Sequence, residues 1–268
     1  MTQMGMVIDL ERCQGCRSCQ IACKTENNTP RGAFWMNVLR YEQGEFPDVD
    51  QGFVPNPCHH CTDSPCTDVC PTTARYKRDE DGIVLTDYDQ CIGCRYCEIA
   101  CPYGVNYFQW RDSSEGQYGF EAHLEEYSDE LDGSPWEETP YVGSHEEGGG
   151  TQASGKIGKC TFCVHRQDSD DEQLEGTTAC QEACPMNVIH FGDMEDPESK
   201  PRQYLNEKSS KQQWTMLESA GTGSNITYLG PQPNSDARGI EDQYKDPEDA
   251  IEAEADRDEY LLTGGESA

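Results

Sequence analysis

The chain carries sixteen cysteines, and they fall into four sets of four with none left over. The first set is Cys13-x2-Cys16-x2-Cys19-x3-Cys23. The second is Cys58-x2-Cys61-x4-Cys66-x3-Cys70, followed by Pro71. The third is Cys91-x2-Cys94-x2-Cys97-x3-Cys101, followed by Pro102. The fourth is Cys160-x2-Cys163-x16-Cys180-x3-Cys184, followed by Pro185. This is the ligand spacing of bacterial-type ferredoxins, repeated. A cubane iron–sulfur cluster needs four thiolates arriving from different directions. Three come from one tight loop, and the fourth starts a helix facing away, so that it reaches a neighbouring cluster. Two runs therefore exchange their fourth ligands and fold as a two-cluster unit, and four runs make two such units. The implied chemistry is passage of single electrons through four [4Fe-4S] clusters.

Two other uses of cysteine compete. A disulfide scaffold suits short secreted chains, whereas this one has 268 residues and no apolar signal segment. Zinc takes four thiolates from two CxxC pairs and has no use for a further Cys three residues beyond the third. Set four departs most from the ferredoxin spacing, and it gains its meaning from the other three.

The elements that must position these ligands can be read around them. Gly5 to Asp9 reads as a strand entering the first loop, and Ser18 to Asn27 as a helix carrying Cys19 and Cys23. Pro30 and Gly32 end that helix, and Phe34 to Tyr41 is β-like. Thr73–Lys77 and Ile83–Thr86 flank the turn Arg78-Asp79-Glu80-Asp81-Gly82, a hairpin signal. Val105–Trp110 reads as a strand after set three, Val188–Gly192 as one after set four, and Ile226–Leu229 as a final strand. Cluster loop, short helix and strand recur four times, which points to duplication. Each terminal Pro ends its local helix and turns the chain outward.

Composition narrows the function classes. There are 51 acidic against 20 basic residues, a formal net charge of -31, and only 34% hydrophobic residues. A large aliphatic core is not available, so the clusters are expected to act as staples. Nucleic acid is excluded as a partner because no basic stripe exists to neutralise phosphates. No stretch of 18 apolar residues exists, so no transmembrane segment is expected. The acidity either belongs to disordered segments alone or reflects a high-salt cytoplasm. It extends over the ordered-looking parts, and the favoured expectation is a halophile. Residues 112–155 hold 12 Asp or Glu and no Lys or Arg, and read as a solvated insertion or a docking surface. From Gly239 onward the tail is acidic; its Asp246–Leu262 portion is either an amphipathic helix or a frayed, partner-dependent end.

The stretches "CQGCRSCQIACKTEN", "CHHCTDSPCTDVCPTTA", "CIGCRYCEIACPYGVNYF", "KCTFCVHR" and "CQEACPMNVIHFGDMEDPES" resemble a known family. It is the four-cluster electron-transfer (beta) subunit of membrane-associated molybdopterin oxidoreductases, the polysulfide, dimethyl sulfoxide and tetrathionate reductase group. The resemblance implies an α+β fold of two bacterial-ferredoxin-like modules with an acidic insertion and an extended C-terminal tail. Residues 1–57 with 156–200 form one module on sets one and four, and 58–111 form the other on sets two and three. Residues 112–155 are the insertion, 201–238 a C-terminal wrap and 239–268 the acidic tail. It further implies one cluster on Cys13, Cys16, Cys19 and Cys184, and a second on Cys160, Cys163, Cys180 and Cys23. A third lies on Cys58, Cys61, Cys66 and Cys101, and a fourth on Cys91, Cys94, Cys97 and Cys70. In the family the set-one cluster faces a molybdopterin catalytic subunit, and the set-three cluster faces a membrane-integral quinone subunit. Some relatives hold a three-iron cluster at set three; here Cys94 and its neighbours are all Cys, so a cubane is expected. No catalytic residue is expected on this chain. Related alternatives are an iron–sulfur subunit of a hydrogenase, a formate dehydrogenase or a quinol-oxidising respiratory complex, or a free polyferredoxin. The complex is expected at a membrane through its partners, on either the cytoplasmic or the exported side.

Other residues near the sets carry expectations of their own. His59 and His60 are expected to pack or hydrogen-bond near sulfur rather than ligate. Lys159, His165 and Arg166 bracket set four and either raise a cluster potential or pair with carboxylates. Tyr96, Tyr103 and Tyr107 fill a small core or line an electron exit. Asn27-Asn28-Thr29 and Asn225-Ile226-Thr227 match the glycosylation sequon.

Overall fold

A computed structural model describes residues 2–27, 29, 33–108, 155–171, 173–208, 210–234 and 237. Strand β1 (Met4–Asp9) is central to a four-stranded sheet of order β8-β1-β10-β9. It runs parallel to β10 (Ile226–Leu229), with Met6 opposite Ile226, and antiparallel to β8 (Ile189–Asp193), with Val7 opposite His190. Strand β9 (Gln213–Trp214) closes the far edge against β10. Successive side chains of a strand point to opposite faces. Met6 and Ile8 accordingly enter the main core, while Val7 joins Leu205 and Leu229 in a second, smaller cluster. That smaller cluster lies beneath helix α6 (Lys200–Glu207), which is capped by Ser199 accepting from the Arg202 backbone N–H.

Three hairpin-like pairs complete the strands. β2 (Asn37–Glu45) pairs with β3 (Asp48–Asn56), β4 (Arg75–Lys77) with β5 (Val84–Thr86), and β6 (Tyr107–Phe108) with β7 (Ile157–Gly158). The β6–β7 pair brings the chain before the acidic insertion back against the chain after it. Five further helices carry or adjoin the cysteine sets: α1 (Ser18–Glu26), α2 (Pro65–Asp68), α3 (Tyr96–Ile99), α4 (Val164–Gln167) and α5 (Ala179–Glu182). The described residues therefore mix short helices and strands in an α+β arrangement.

The expected elements around the sets appear with small shifts. The first helix stops at Glu26, and the strand expected from Phe34 begins at Asn37. The strand after set three is Tyr107–Phe108, and Trp110 lies outside the described residues. Two elements carry no expectation from the sequence. Strand β3 has an exposed, acidic first half and a Pro at position 55, which is tolerated because β3 pairs on one side only. Helix α6 starts with Ser199 at its N-cap and Pro201 in its first turn, both helix-start signals. The insertion through Ser154 and the tail beyond Arg238, with the candidate helix Asp246–Leu262, lie outside the described residues.

The main core is contiguous and includes Cys19, Cys23, Cys58, Cys61, Cys160 and Cys180 beside Trp35, Leu39, Phe162 and Tyr228. Cysteine side chains thus occupy places that aliphatic residues fill in ordinary cores.

Candidate iron–sulfur sites

Each of the four sets uses left-handed backbone to turn its cysteines inward. In set one, Gly15 (φ 63°) and Arg17 (φ 62°) bracket Cys16. In set three, Gly93 (φ 68°) and Arg95 (φ 65°) bracket Cys94 in the same way. Set two uses His60 (φ 41°), and set four uses Phe162 (φ 55°) and Cys163 (φ 51°). The equivalence of sets one and three is a structural repeat as well as a sequence one.

Helix packing then divides the cysteines among four places. α1 carries Cys19 in its first turn and Cys23 one turn later, and it packs on α5, which carries Cys180 with Cys184 just beyond its end. Cys13, Cys16, Cys19 and Cys184 line one cavity. Cys23 faces Cys160, Cys163 and Cys180 at a wholly buried place. The pair α2 and α3 repeats the arrangement. Cys58, Cys61, Cys66 and Cys101 line a second cavity. Cys70, Cys91, Cys94 and Cys97 line a third.

Protons report how crowded these thiols are. Burial, then neighbouring Cys13 and Cys184, push Cys19 up to about 12. Burial pushes Cys160, Cys163 and Cys180 to about 12, and Cys23 well above its ordinary range. Burial likewise lifts Cys66 to about 12 and Cys61 to about 11. Two thiols go the other way. Ser18 lowers Cys16, and at Cys70 hydrogen bonds from the Arg75 N–H and Thr72 outweigh the opposing effect of burial. The thiolate is the ligand, so a cluster bound here would have to displace these protons.

None of the sixteen cysteines forms a disulfide. Among the described residues no three His, Cys, Asp or Glu side chains sit close enough to hold a single metal ion.

The residues around the sets are placed as follows. His59 is buried, its ring stacked at 3.7 Å on Tyr103, with Nδ1 2.7 Å from Ser224 Oγ and Nε2 3.1 Å from Asn56 Oδ1. Burial lowers its pKa to about 3, so it is neutral. His60 Nδ1 accepts from the Val84 backbone N–H at 2.9 Å, and its ring stacks on Phe162 at 3.8 Å. Both rings line the Cys58 cavity, and His60 Nε2 is buried there with no hydrogen-bond partner among the described residues. His165 and Arg166 pair with Glu26 at 2.7 and 2.5 Å, and Arg166 also with Glu182 at 2.6 Å. Lys159 is fully buried and donates to the carbonyls of Val84 and Cys160. Tyr103 belongs to the core, Tyr107 is half-buried, and Tyr96 is exposed. Both sequon asparagines are engaged: Asn27 Nδ2 donates to Cys23 O at 2.9 Å, and Asn225 Nδ2 to His60 O at 2.7 Å.

One residue at these sites has no sequence signal. Arg75 is buried, with Nη2 donating to Cys97 Sγ at 3.4 Å and to Asn106 Oδ1 at 2.9 Å. Its Nε and Nη1 have no hydrogen-bond partner. A run reading CPTTAR gives no hint that its Arg turns inward.

Comparison with known proteins decides the family. A family described as "4Fe-4S dicluster domain" matches residues 49–126. An arsenate respiratory reductase iron–sulfur subunit from Shewanella is 38% identical over 242 residues, covering 85% of this chain and 96% of that one. A protein of Halobacterium salinarum named for the iron–sulfur subunit of dimethyl sulfoxide reductase is 36% identical over 242 residues, covering 85% and 79%. The chain belongs to the iron–sulfur subunits of respiratory reductases. A menaquinone reductase iron–sulfur cluster-binding subunit from Nitratidesulfovibrio vulgaris is 35% identical over 248 residues, covering 84% and 88%. As an iron–sulfur subunit this chain binds [4Fe-4S] clusters and serves electron transfer, and catalysis on the terminal substrate is not its task. Its ferredoxin-like dicluster domain lies within the α+β arrangement described above.

Proposed function

We propose that this iron–sulfur subunit relays electrons through four [4Fe-4S] clusters, between a molybdopterin-containing catalytic subunit and a membrane-integral quinone-reactive subunit. The carrying observation is the interleaved grouping of the cysteines. Each group takes three from one set and a fourth from a helix end of another set. On this reading Cys13, Cys16, Cys19 and Cys184 hold the first cluster, and Cys160, Cys163, Cys180 and Cys23 the second. Cys58, Cys61, Cys66 and Cys101 hold the third, and Cys91, Cys94, Cys97 and Cys70 the fourth. Sets one and four then make one ferredoxin-like module, and sets two and three the other.

The clusters supply the redox chemistry, one electron at a time. The neighbours of the cysteines support an order. The fields of neighbouring thiols link the groups in series: Cys180 feels Cys19, Cys160 feels Cys58, and Arg75 feels both Cys66 and Cys97. That supports a single path running from the Cys13 group, through the Cys23 and Cys58 groups, to the Cys70 group. The two solvent-exposed cysteines, Cys16 and Cys94, belong to its two ends. Ile92, Tyr96 and Ile99, all within five residues of Cys94, are exposed apolar side chains, which suits a membrane-bound partner at that end. No helix among the described residues is long and apolar enough to cross a membrane, which favours attachment through partner subunits.

The test is anaerobic purification of the complex, with iron and sulfide counted per chain and the co-purifying subunits identified. About sixteen iron and sixteen sulfide are expected. Cys94→Ser should remove or alter one cluster signal in electron paramagnetic resonance. Four unaltered cubane signals in that variant would sink the assignment.

A further inference from the structure

Arg75 is 3% exposed and meets no carboxylate among the described residues. This is unusual in a chain with 51 acidic residues. The other inward-turned arginines find acids readily: Arg78 pairs with Glu80, Asp81 and Asp168, and Arg166 with Glu26 and Glu182. The side-chain acceptors of Arg75 are one sulfur, Cys97 Sγ, and one amide oxygen, Asn106 Oδ1. Its Nε and Nη1 are buried donors with nothing to bond. Taking a guanidinium out of water is strongly unfavourable unless negative charge answers it. Neutral thiols cannot answer it, whereas thiolates bound to a cluster can.

The position is shared between two groups. Arg75 lies in the wall of the cavity formed by Cys70, Cys91, Cys94 and Cys97. Its backbone N–H reaches Cys70 Sγ at 3.4 Å, and its side chain reaches Cys97. Its charge also acts on Cys66, which lines the neighbouring cavity. Asn106 holds it there, donating to Cys97 O at 3.0 Å while accepting from the guanidinium. Lys159 is the other buried cation near these groups, but two carbonyl oxygens engage its ammonium.

We propose that Arg75 is a buried cation common to two adjacent clusters, those of the Cys58 and Cys70 groups, and raises the reduction potentials of both. Added negative charge on either cluster is stabilised by a fixed positive charge in a medium of low dielectric. Each couple takes up one electron, delivered in the test by dithionite, and the guanidinium keeps its protons throughout. Arg75 is thus a tuning residue acting by charge and by its bond to Cys97 Sγ. The inference rests on the four-cluster reading above.

The experiment is a redox titration of the isolated complex, followed by electron paramagnetic resonance, on wild type, Arg75→Met, Arg75→Lys and Asn106→Asp. Arg75→Met should move two of the four midpoint potentials downward and leave two in place. The two that move should be those altered by Cys66→Ser and Cys94→Ser. Arg75→Lys, which keeps the charge, should shift them less. Asn106→Asp, which sets a carboxylate against the guanidinium, should shift the same two downward even if Arg75→Met does not assemble. Unchanged potentials in a fully loaded Arg75→Met or Asn106→Asp protein would overturn the proposal, as would equal shifts in all four clusters. Loss of clusters in both variants would overturn it too, since Arg75 would then hold the sites rather than set their potentials. A wild-type protein with fewer than four clusters would instead refute the four-cluster reading, and iron counting separates the two failures.

Discussion

Glu26 ties together parts of the chain that the cysteine spacing leaves unconnected. Its carboxylate, at the end of α1, accepts from His165 Nε2 at 2.7 Å and Arg166 Nε at 2.5 Å on α4. Hydrogen bonds from His165 oppose the effect of burial and, with those from Arg166, bring its pKa down to about 2. The bond fixes the helix bearing Cys23 to the loop bearing Cys163, so it braces the wholly buried cysteine group from outside. Hydrogen bonds to a charged group are worth roughly 1.5–3 kcal/mol. Glu26→Gln should therefore lower stability by ~2 kcal/mol, read as a lower denaturant midpoint at unchanged iron content. An unchanged midpoint would show that Arg166 is served by Glu182 alone. The grouping of the cysteines was legible because each chemistry imposes its own spacing on cysteine. Glu26 and Arg75 were not, because a charged residue in an acidic chain gives no local sign of whether it turns inward.

The loops and short helices turn that spacing into geometry, and their backbone conformations are specific enough to test. Gly15 sits at φ 63°, and a Cβ there would run into the Phe53 ring of β3. The first cysteine loop thus rests directly on the hairpin that follows it in sequence. Gly104, at φ 62°, has open space where a Cβ would go. Both positions charge an L-residue the same left-handed penalty, about 1–2 kcal/mol, and only the first adds a clash. Gly15→Ala should lose the cluster of the Cys13 group, about one quarter of the iron, while Gly104→Ala keeps its full complement. Equal iron in the two variants would mean the loop gives way without cost. The same contact explains why β3 hides from sequence patterns. It is held by Gly15 packing on Phe53 and by pairing with β2, and neither leaves a period-two pattern in its exposed first half. The parallel pairing of β1 with β10 is illegible for a related reason: Met6 and Ile226 lie at opposite ends of the chain, and no local pattern specifies which distant strand will be a neighbour.

At the scale of the whole molecule, charge is the dominant fact. With 51 acidic and 20 basic residues, pairing every cation still leaves a net charge of -31. Cluster-bound thiolates would add further negative charge to a core that already contains Cys19, Cys23, Cys58, Cys61, Cys160 and Cys180. Salt decides whether that excess is tolerable. The Debye length is about 3 Å at 1 M and about 10 Å at 0.1 M, so repulsion between neighbouring surface carboxylates is cut off in the first case and extends across them in the second. A chain with 34% hydrophobic residues has little apolar burial to set against it. The expected outcome is that the visible absorption of the clusters persists in molar potassium chloride and is lost on dialysis to low salt. The buried Cys23 group should fail with the rest, because its helices α1 and α5 part together. An uncharged osmolyte separates screening from general stabilisation: sucrose at matched osmolality should fail to protect the clusters if repulsion is the cause. Absorption unchanged at low salt would overturn the argument and remove the reason to read the acidity as adaptation to a salty cytoplasm. Protection by sucrose equal to that by salt would instead assign the loss to a marginal core.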